Sequence, residues 1–381
     1  MNTSQTTATT PAGMTPQDYQ RVMHSIIQRV ATGPELSKNI SQLEAAQGMT
    51  AILEGHIDPV QAAIFFIALR MKRETADENK GVLDGVLAAT RRVTAAVDEV
   101  VDIADPYDGY NRCLPAAPFL APLLAELGLP AVTHSAQNIG PKFGVTARHV
   151  LAAAGVPVDL DPATAAARLA DSTCGWTYID QAQFCPGLNA LIPLRQRMIK
   201  RQVLTTIEVC ARPIAGRRHT HFVTGFVHKP YPPVYAMLAR HAGFDSALII
   251  RGVEGGVIPS LRQAGKYHLY QDRGELVEAD IDPVALGVAQ TVRSVPLPDD
   301  LPKSEREGDE VAIMVDVAAT AAAAARVGLA ALGGEPGPAY DSLALTAALV
   351  LVQTRRAHSL AEAMTQVRGV LDSGRAVARV R

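Results

Sequence analysis

Hydrophobic residues in the N-terminal part of the chain recur at helical spacing. Tyr19, Val22, Met23, Ile26, Ile27 and Val30 fall on one face, with Thr15 placed as N-cap and Pro16 at the first helical position. Ser41 and Glu44 form a capping-box pair for a helix ending near Leu53. Asp58–Pro59 opens a very apolar helix through Ile64, Phe65, Ile67, Ala68 and Met71, and Thr75 with Glu78 caps another toward Val86. These signals predict a small all-helical domain over residues 14–93, joined by part of 163–195. Phe65 and Phe66 sit side by side on a helix that is apolar almost all round, and such a helix must be covered on more than one side. A homodimer interface and burial inside the subunit both satisfy that requirement.

At Val101 the pattern changes. Residues 101–150 parse as a β-branched strand, a polar loop, a long apolar helix, a short strand and a second polar loop, which is one right-handed βαβ unit. Further on, Asp161–Pro162 starts a helix through Leu169, and Thr177–Asp180 reads as a strand. Leu188–Arg201 reads as a helix, His221–Val227 as a strand, Tyr235–His241 as a helix and Ser246–Gly252 as the strongest strand. Tyr267–Asp282 looks like a hairpin. Pro296–Glu310 reads as a charged linker, and C-terminal helices run from about Val311 to Val377, broken at Gly333–Pro338. The alternation predicts an α/β domain over 94–381 with a mostly parallel central sheet. Ligands of such sheets lie outside the carboxyl ends of the strands, so Asp105–Arg112 and His134–Gly144 are the expected ligand loops. Their candidate residues are Asp108, Gly109, Asn111, Arg112, His134, Asn138, Lys142 and Gly144.

Composition narrows the function classes. The chain has 381 residues, 48% of them apolar, and a formal net charge of −2, so no global charge draws it to nucleic acid or membrane and any basic surface must be local. The four cysteines, Cys113, Cys174, Cys185 and Cys210, lack zinc-like or C-x-x-C spacing and read as reduced thiols of a cytoplasmic protein. Residues 1–13 read as a disordered tail without signal-peptide features, and the Ala-rich run Val317–Leu332 is too short and interrupted to cross a bilayer.

Leu53–Leu83 resembles the N-terminal helical domain of the anthranilate phosphoribosyltransferase family, glycosyltransferase family 3, and Tyr340–Val380 resembles that family's last helices. The resemblance implies a nucleoside phosphorylase/phosphoribosyltransferase-like fold, a homodimer through the helical domains, and magnesium-dependent transfer of phosphoribose to an aromatic amine. The motifs for that chemistry are altered. The glycine-rich pyrophosphate loop is matched by Asp105–Arg112, where Gly109 is the one glycine, Pro106 removes a donor, and Asp105 and Asp108 add negative charge. The phosphate-binding hydroxyls are matched by Cys113-Leu114-Pro115-Ala116. His134, Lys142 and Gly144 are retained, and Arg195 matches an arginine that contacts the acceptor. The magnesium-binding Asp-Glu pair is matched by Gly256-Val257-Ile258, so neither metal nor other cofactor is expected unless transfer survives. The altered loop, Phe184-Cys185-Pro186 and Leu194–Met198 resemble a divergent branch typified by the nucleic-acid-binding YbiB protein.

Arg197, Lys200 and Arg201 fall at i, i+3, i+4 of the expected helix, and Arg217, Arg218 and Lys229 extend a basic segment broken only by Glu208. A solvated face and a phosphate-binding surface both fit that pattern. Tyr107, Tyr110, Tyr231 and Tyr235 are candidates for stacking bases. The expectation is a family member with an altered active site, not active on anthranilate, that binds a phosphate-bearing ligand such as nucleic acid through basic loops. The alternative is an active pentosyltransferase on another acceptor, with a small phosphorylated ligand held by His134, Asn138, Lys142 and Arg195.

Overall fold

Capping pairs set the first four helices. α1 (Pro16–Val30), α2 (Gln42–Leu53) and α4 (Ala76–Ala89) start at capping boxes on Thr15, Ser41 and Thr75, and α3 (Pro59–Lys72) starts at Asp58, whose side chain accepts from the Val60 N–H. The computed structural model describes residues 14–33, 35–304 and 316–381. The tail expected over 1–13, the end of the linker at 305–310 and the helix start at 311 lie outside the described residues.

The order continues β1 (Val93–Thr94), β2 (Glu99–Ala104), α5 (Leu120–Glu126), β3 (Ala131–Ser135), α6 (Ala147–Ala153), α7 (Pro162–Ala170), β4 (Trp176–Asp180), α8 (Gln181–Phe184), α9 (Pro186–Asn189), α10 (Ile192–Met198) and α11 (Leu204–Ile207). It closes with β5 (Ile214–Ala215), β6 (His219–Gly225), α12 (Tyr231–Ala242), β7 (Ser246–Ile250), β8 (Gly265–Tyr270), β9 (Val277–Ile281), α13 (Val317–Leu332), α14 (Pro338–Gln353) and α15 (Leu360–Asp372). β1 and β5 form a small parallel pair. The main sheet has seven strands in the order β4-β3-β2-β6-β7-β8-β9, parallel through β7, with β8 and β9 antiparallel. The fold is thus a helical N-terminal domain beside a larger α/β domain with a mostly parallel sheet.

Strand alternation feeds two cores. In β2, Val101 and Ile103 enter the core shared with α5, α6 and the C-terminal helices, while Val100 and Ala104 enter the one shared with the helical domain. β7 repeats the division with Leu248 and Ile250 against Ala247 and Ile249. Covered on both faces, these strands carry few polar positions, which is why they stand out in the sequence. Phe65 and Phe66 are both fully buried within the subunit.

Two expected helices are redrawn. Leu188–Arg201 is divided into α9 and α10, because Pro193 supplies no N–H to carry the ladder through and Ile199 at φ 64° ends the second piece. Lys200 and Arg201 therefore lie beyond the helix, and the i, i+3, i+4 basic stripe does not form. The helix expected from Tyr235 begins at Tyr231, since Pro232 and Pro233 fall in the first turn, where no donor is needed.

Candidate functional site: a cleft at the switch point of the sheet

From β2 the chain winds outward through β3 and β4, then returns to build β6 on the other side of β2. The order reverses there, so the carboxyl ends of β2 and β6 open a crevice that their two loops cannot fill. A cleft of about 730 Å³ occupies it, walled by 106–112 after β2, Phe226–His228 after β6, Tyr231 and Tyr235 of α12, and Arg70 of α3.

The loop after β2 is pinned from below. Asp105 Oδ1 accepts from the Tyr110 hydroxyl at 2.8 Å and from the Val257 N–H at 3.0 Å. Burial pushes its carboxyl up to about 6, and those two donors with the Lys142 charge restrain the rise. Gly109 at φ 73° meets Gly144 so closely that a Cβ on Gly109 would lie 2.6 Å from the Gly144 carbonyl carbon. Paired N–H···O bonds between Tyr110 and Val145, at 3.0 and 2.8 Å, complete this junction.

Charge inside the cleft is balanced by the chain itself. The Lys142 ammonium donates to the Gly109 carbonyl at 3.0 Å and the Glu254 carbonyl at 3.2 Å, and pairs with Glu254 at 3.5 Å and Asp108 at 3.7 Å. Arg201 pairs with Asp108 at 2.7 Å. Glu254 spans the base of the cleft: Oε1 accepts the Arg112 N–H at 2.8 Å, and Oε2 accepts the Asn111 N–H at 3.3 Å. Arg70 ties the helical domain to the far wall, donating to the Tyr231 hydroxyl at 2.6 Å, the Gln202 carbonyl at 3.0 Å and the Thr206 hydroxyl at 3.1 Å.

The residues expected from sequence divide between places. Asp108, Asn111, Arg112, Lys142 and Arg201 line the cleft, and Lys229 is exposed on the loop just after β6. His134 does not reach it: fully buried in β3, its Nε2 meets Asp102 at 2.8 Å and its Nδ1 meets the Tyr107 hydroxyl. Arg195 does not either, because Glu208 takes both ends of its guanidinium at 2.6 and 2.8 Å in the interior. Asn138 lines a separate polar cavity of about 340 Å³ with Arg148 and Asp180. Arg197 and Lys200 are exposed, and Arg217 and Arg218 are exposed in the turn before β6, at the opposite end of the sheet from the cleft. The basic segment is therefore not one surface. Cys185 is buried, and burial pushes its thiol up. Among the described residues no cluster of His, Cys, Asp and Glu is arranged to hold a metal, and no helix is long and apolar enough to cross a membrane.

Sequence reasoning missed Arg70, Glu254 as a ligand of the loop, and the β6 loop as a wall. The available signal for Arg70 was its place as the first of the basic residues, with Lys72 and Arg73, that end the apolar run of α3.

A helical bundle packed on an α/β domain with its cleft at the switch point defines the phosphoribosyltransferase type of fold. Residues 24–90 match the helical bundle domain of the glycosyl transferase family. An anthranilate phosphoribosyltransferase of Clavibacter sepedonicus is 29% identical over 358 residues, 90% of this chain and 93% of that protein. An uncharacterized protein of Aquifex aeolicus is 29% identical over 251 residues, 66% of this chain and 74% of its own length. Among solved structures, the Saccharomyces cerevisiae anthranilate phosphoribosyltransferase in complex with PRPP and Mg superposes with TM-score 0.72 at 15% identity, over 96% of each chain. The Thermus thermophilus enzyme gives 0.68 at 18% identity, over 94% of this chain and 97% of that one. Over nearly its whole length the chain is thus similar to the anthranilate phosphoribosyltransferases, and residues 24–90 carry the helical bundle domain of the glycosyl transferase family.

Proposed function

We propose that this chain is a member of the anthranilate phosphoribosyltransferase family that does not carry out magnesium-dependent transfer of phosphoribose to anthranilate and instead binds a phosphate-bearing ligand, nucleic acid above all, at the switch-point cleft. The observation that carries this reading is the Lys142 ammonium, which lies between Asp108 and Glu254 with four oxygens of this chain around it. Mg²⁺ is held through carboxylates and substrate phosphates. Here Asp105, Asp108 and Glu254 already take donors of the chain, and a cation sits among them, so the residues do not fit the metal. The acceptor side is closed likewise by the Arg195–Glu208 pair. Arg112 in the cleft lining and the exposed Lys229, next to the lining residue His228, supply positive charge, and Tyr231 supplies an aromatic face suited to a base of a single strand.

The test is a fluorescence assay for anthranilate consumption with and without chelator, beside titration with phosphoribosyl pyrophosphate and labelled oligonucleotides in one low-salt buffer. The expected result is no turnover and salt-sensitive oligonucleotide binding. Chelator-sensitive turnover overturns the reading, as does absence of oligonucleotide binding at low salt.

A second reading, transfer to another acceptor, is favoured by the cleft's volume of about 730 Å³, ample for a phosphoribosyl group. Homodimerisation through the helical domain belongs to the same proposal. Val60, Ile64, Ile67 and Met71 share one face of α3, and Val60 and Met71 are 64% and 75% exposed.

A further inference from the structure

We infer that the Asn111 and Arg112 N–H groups together with Lys142 Nζ form an oxyanion-binding site that the chain fills with its own Glu254 carboxylate, and that a ligand phosphate displaces that carboxylate. The inference rests on the reading that a phosphate-bearing ligand enters the cleft. Two adjacent backbone donors aimed at one carboxylate, at 3.3 and 2.8 Å, with an ammonium 3.5 Å away, make the donor set that a phosphate oxygen would meet. The cleft reaches it, because Asn111, Arg112, Lys142, Glu254 and Gly255 all line the same space. Glu254 is also placed to leave. It stands at φ 53°, a left-handed conformation that costs a residue with a side chain, in a turn flanked by Gly252, Gly255 and Gly256. A phosphate brings more acceptors and more charge than the carboxylate it would replace.

Removing the side chain should expose the donors without disturbing the backbone, since glycine adopts φ 53° readily. Inorganic pyrophosphate is titrated calorimetrically into the full-length wild type, Glu254→Gly and Glu254→Gln, with melting curves run in parallel. Glu254→Gly is expected to bind pyrophosphate roughly tenfold tighter than wild type or better, with Glu254→Gln between them. Equal affinity in all three, or no binding in any, overturns the inference. So does loss of folding in both variants, which would make the carboxylate a fixed structural tie. Oligonucleotide binding by the wild type is scored separately, so failure of the nucleic-acid reading leaves a distinct record from failure of the displacement.

Discussion

Arg195 and Glu208 are joined by two hydrogen bonds of 2.6 and 2.8 Å with both side chains 1% exposed. An interior pair of this kind is costly to break from one side, because the survivor is left charged and buried. Glu208→Ala should therefore lower stability by about 3–5 kcal/mol, whereas Arg195→Met with Glu208→Leu should cost much less. Urea unfolding of the three proteins checks this, and similar midpoints for the single and double variants would contradict it.

Asp105 makes stability depend on pH in the sense opposite to a salt-bridged carboxylate. Its folded value of about 6 lies above the ordinary 3.8, so between those values the native state holds a proton that the unfolded state has released. The contribution of this group is most favourable below pH 4, falls as pH rises toward 6, and is fully lost above it. A difference of that size corresponds to ~2–3 kcal/mol. Asp105→Asn keeps an oxygen for Tyr110 and Val257, so its melting temperature should exceed that of wild type increasingly from pH 4 to 7. Parallel melting profiles across that range would refute this.

Gly144→Ala places a Cβ 2.5 Å from the Tyr110 carbonyl oxygen, a backbone atom that cannot turn aside. The junction under the cleft should loosen, at a cost of about 1–3 kcal/mol. Limited proteolysis would show it as faster cutting within 105–112 than in wild type.

If nucleic acid lies across the cleft, Arg112→Ala with Lys229→Ala should flatten the dependence of log K on log salt by about 0.9 per lost phosphate contact, for all sequences alike. Arg201→Ala should do less, because that guanidinium is engaged by Asp108. Fluorescence anisotropy at several salt concentrations measures both slopes.

Val60→Glu with Met71→Glu puts charge on the apolar face of α3 while leaving the buried Phe65 and Phe66 untouched. Light scattering should report a dimer for wild type and a monomer for the variant at micromolar concentration. A wild-type monomer would dispose of the interface.

Much of the fold was legible because local signals agreed with one another. Capping boxes at Thr15, Ser41 and Thr75 mark helix starts within a few residues of the chain, and strands covered on both faces read as apolar runs. The site was only half legible. Which strand lies beside β2 is a property of the whole topology, so β6 as the second wall could not be seen from the first βαβ unit. The pairing of Glu254 with Asn111 and Arg112 bridges residues more than a hundred positions apart, and no periodicity carries such information. Glu208 stood out in the sequence as an interruption of a basic segment. In the structure it is the partner of Arg195.

The seven residues of β6 separate Arg217 and Arg218 at one end of the sheet from Lys229 at the other. At about 3.3 Å per residue the strand spans ~20 Å. β6 is buried from Thr220 to Gly225 between two neighbouring strands, so no bound ligand can follow it from one end to the other. The sheet thus works as a partition, and a ligand held at the cleft leaves Arg217 and Arg218 to the solvent.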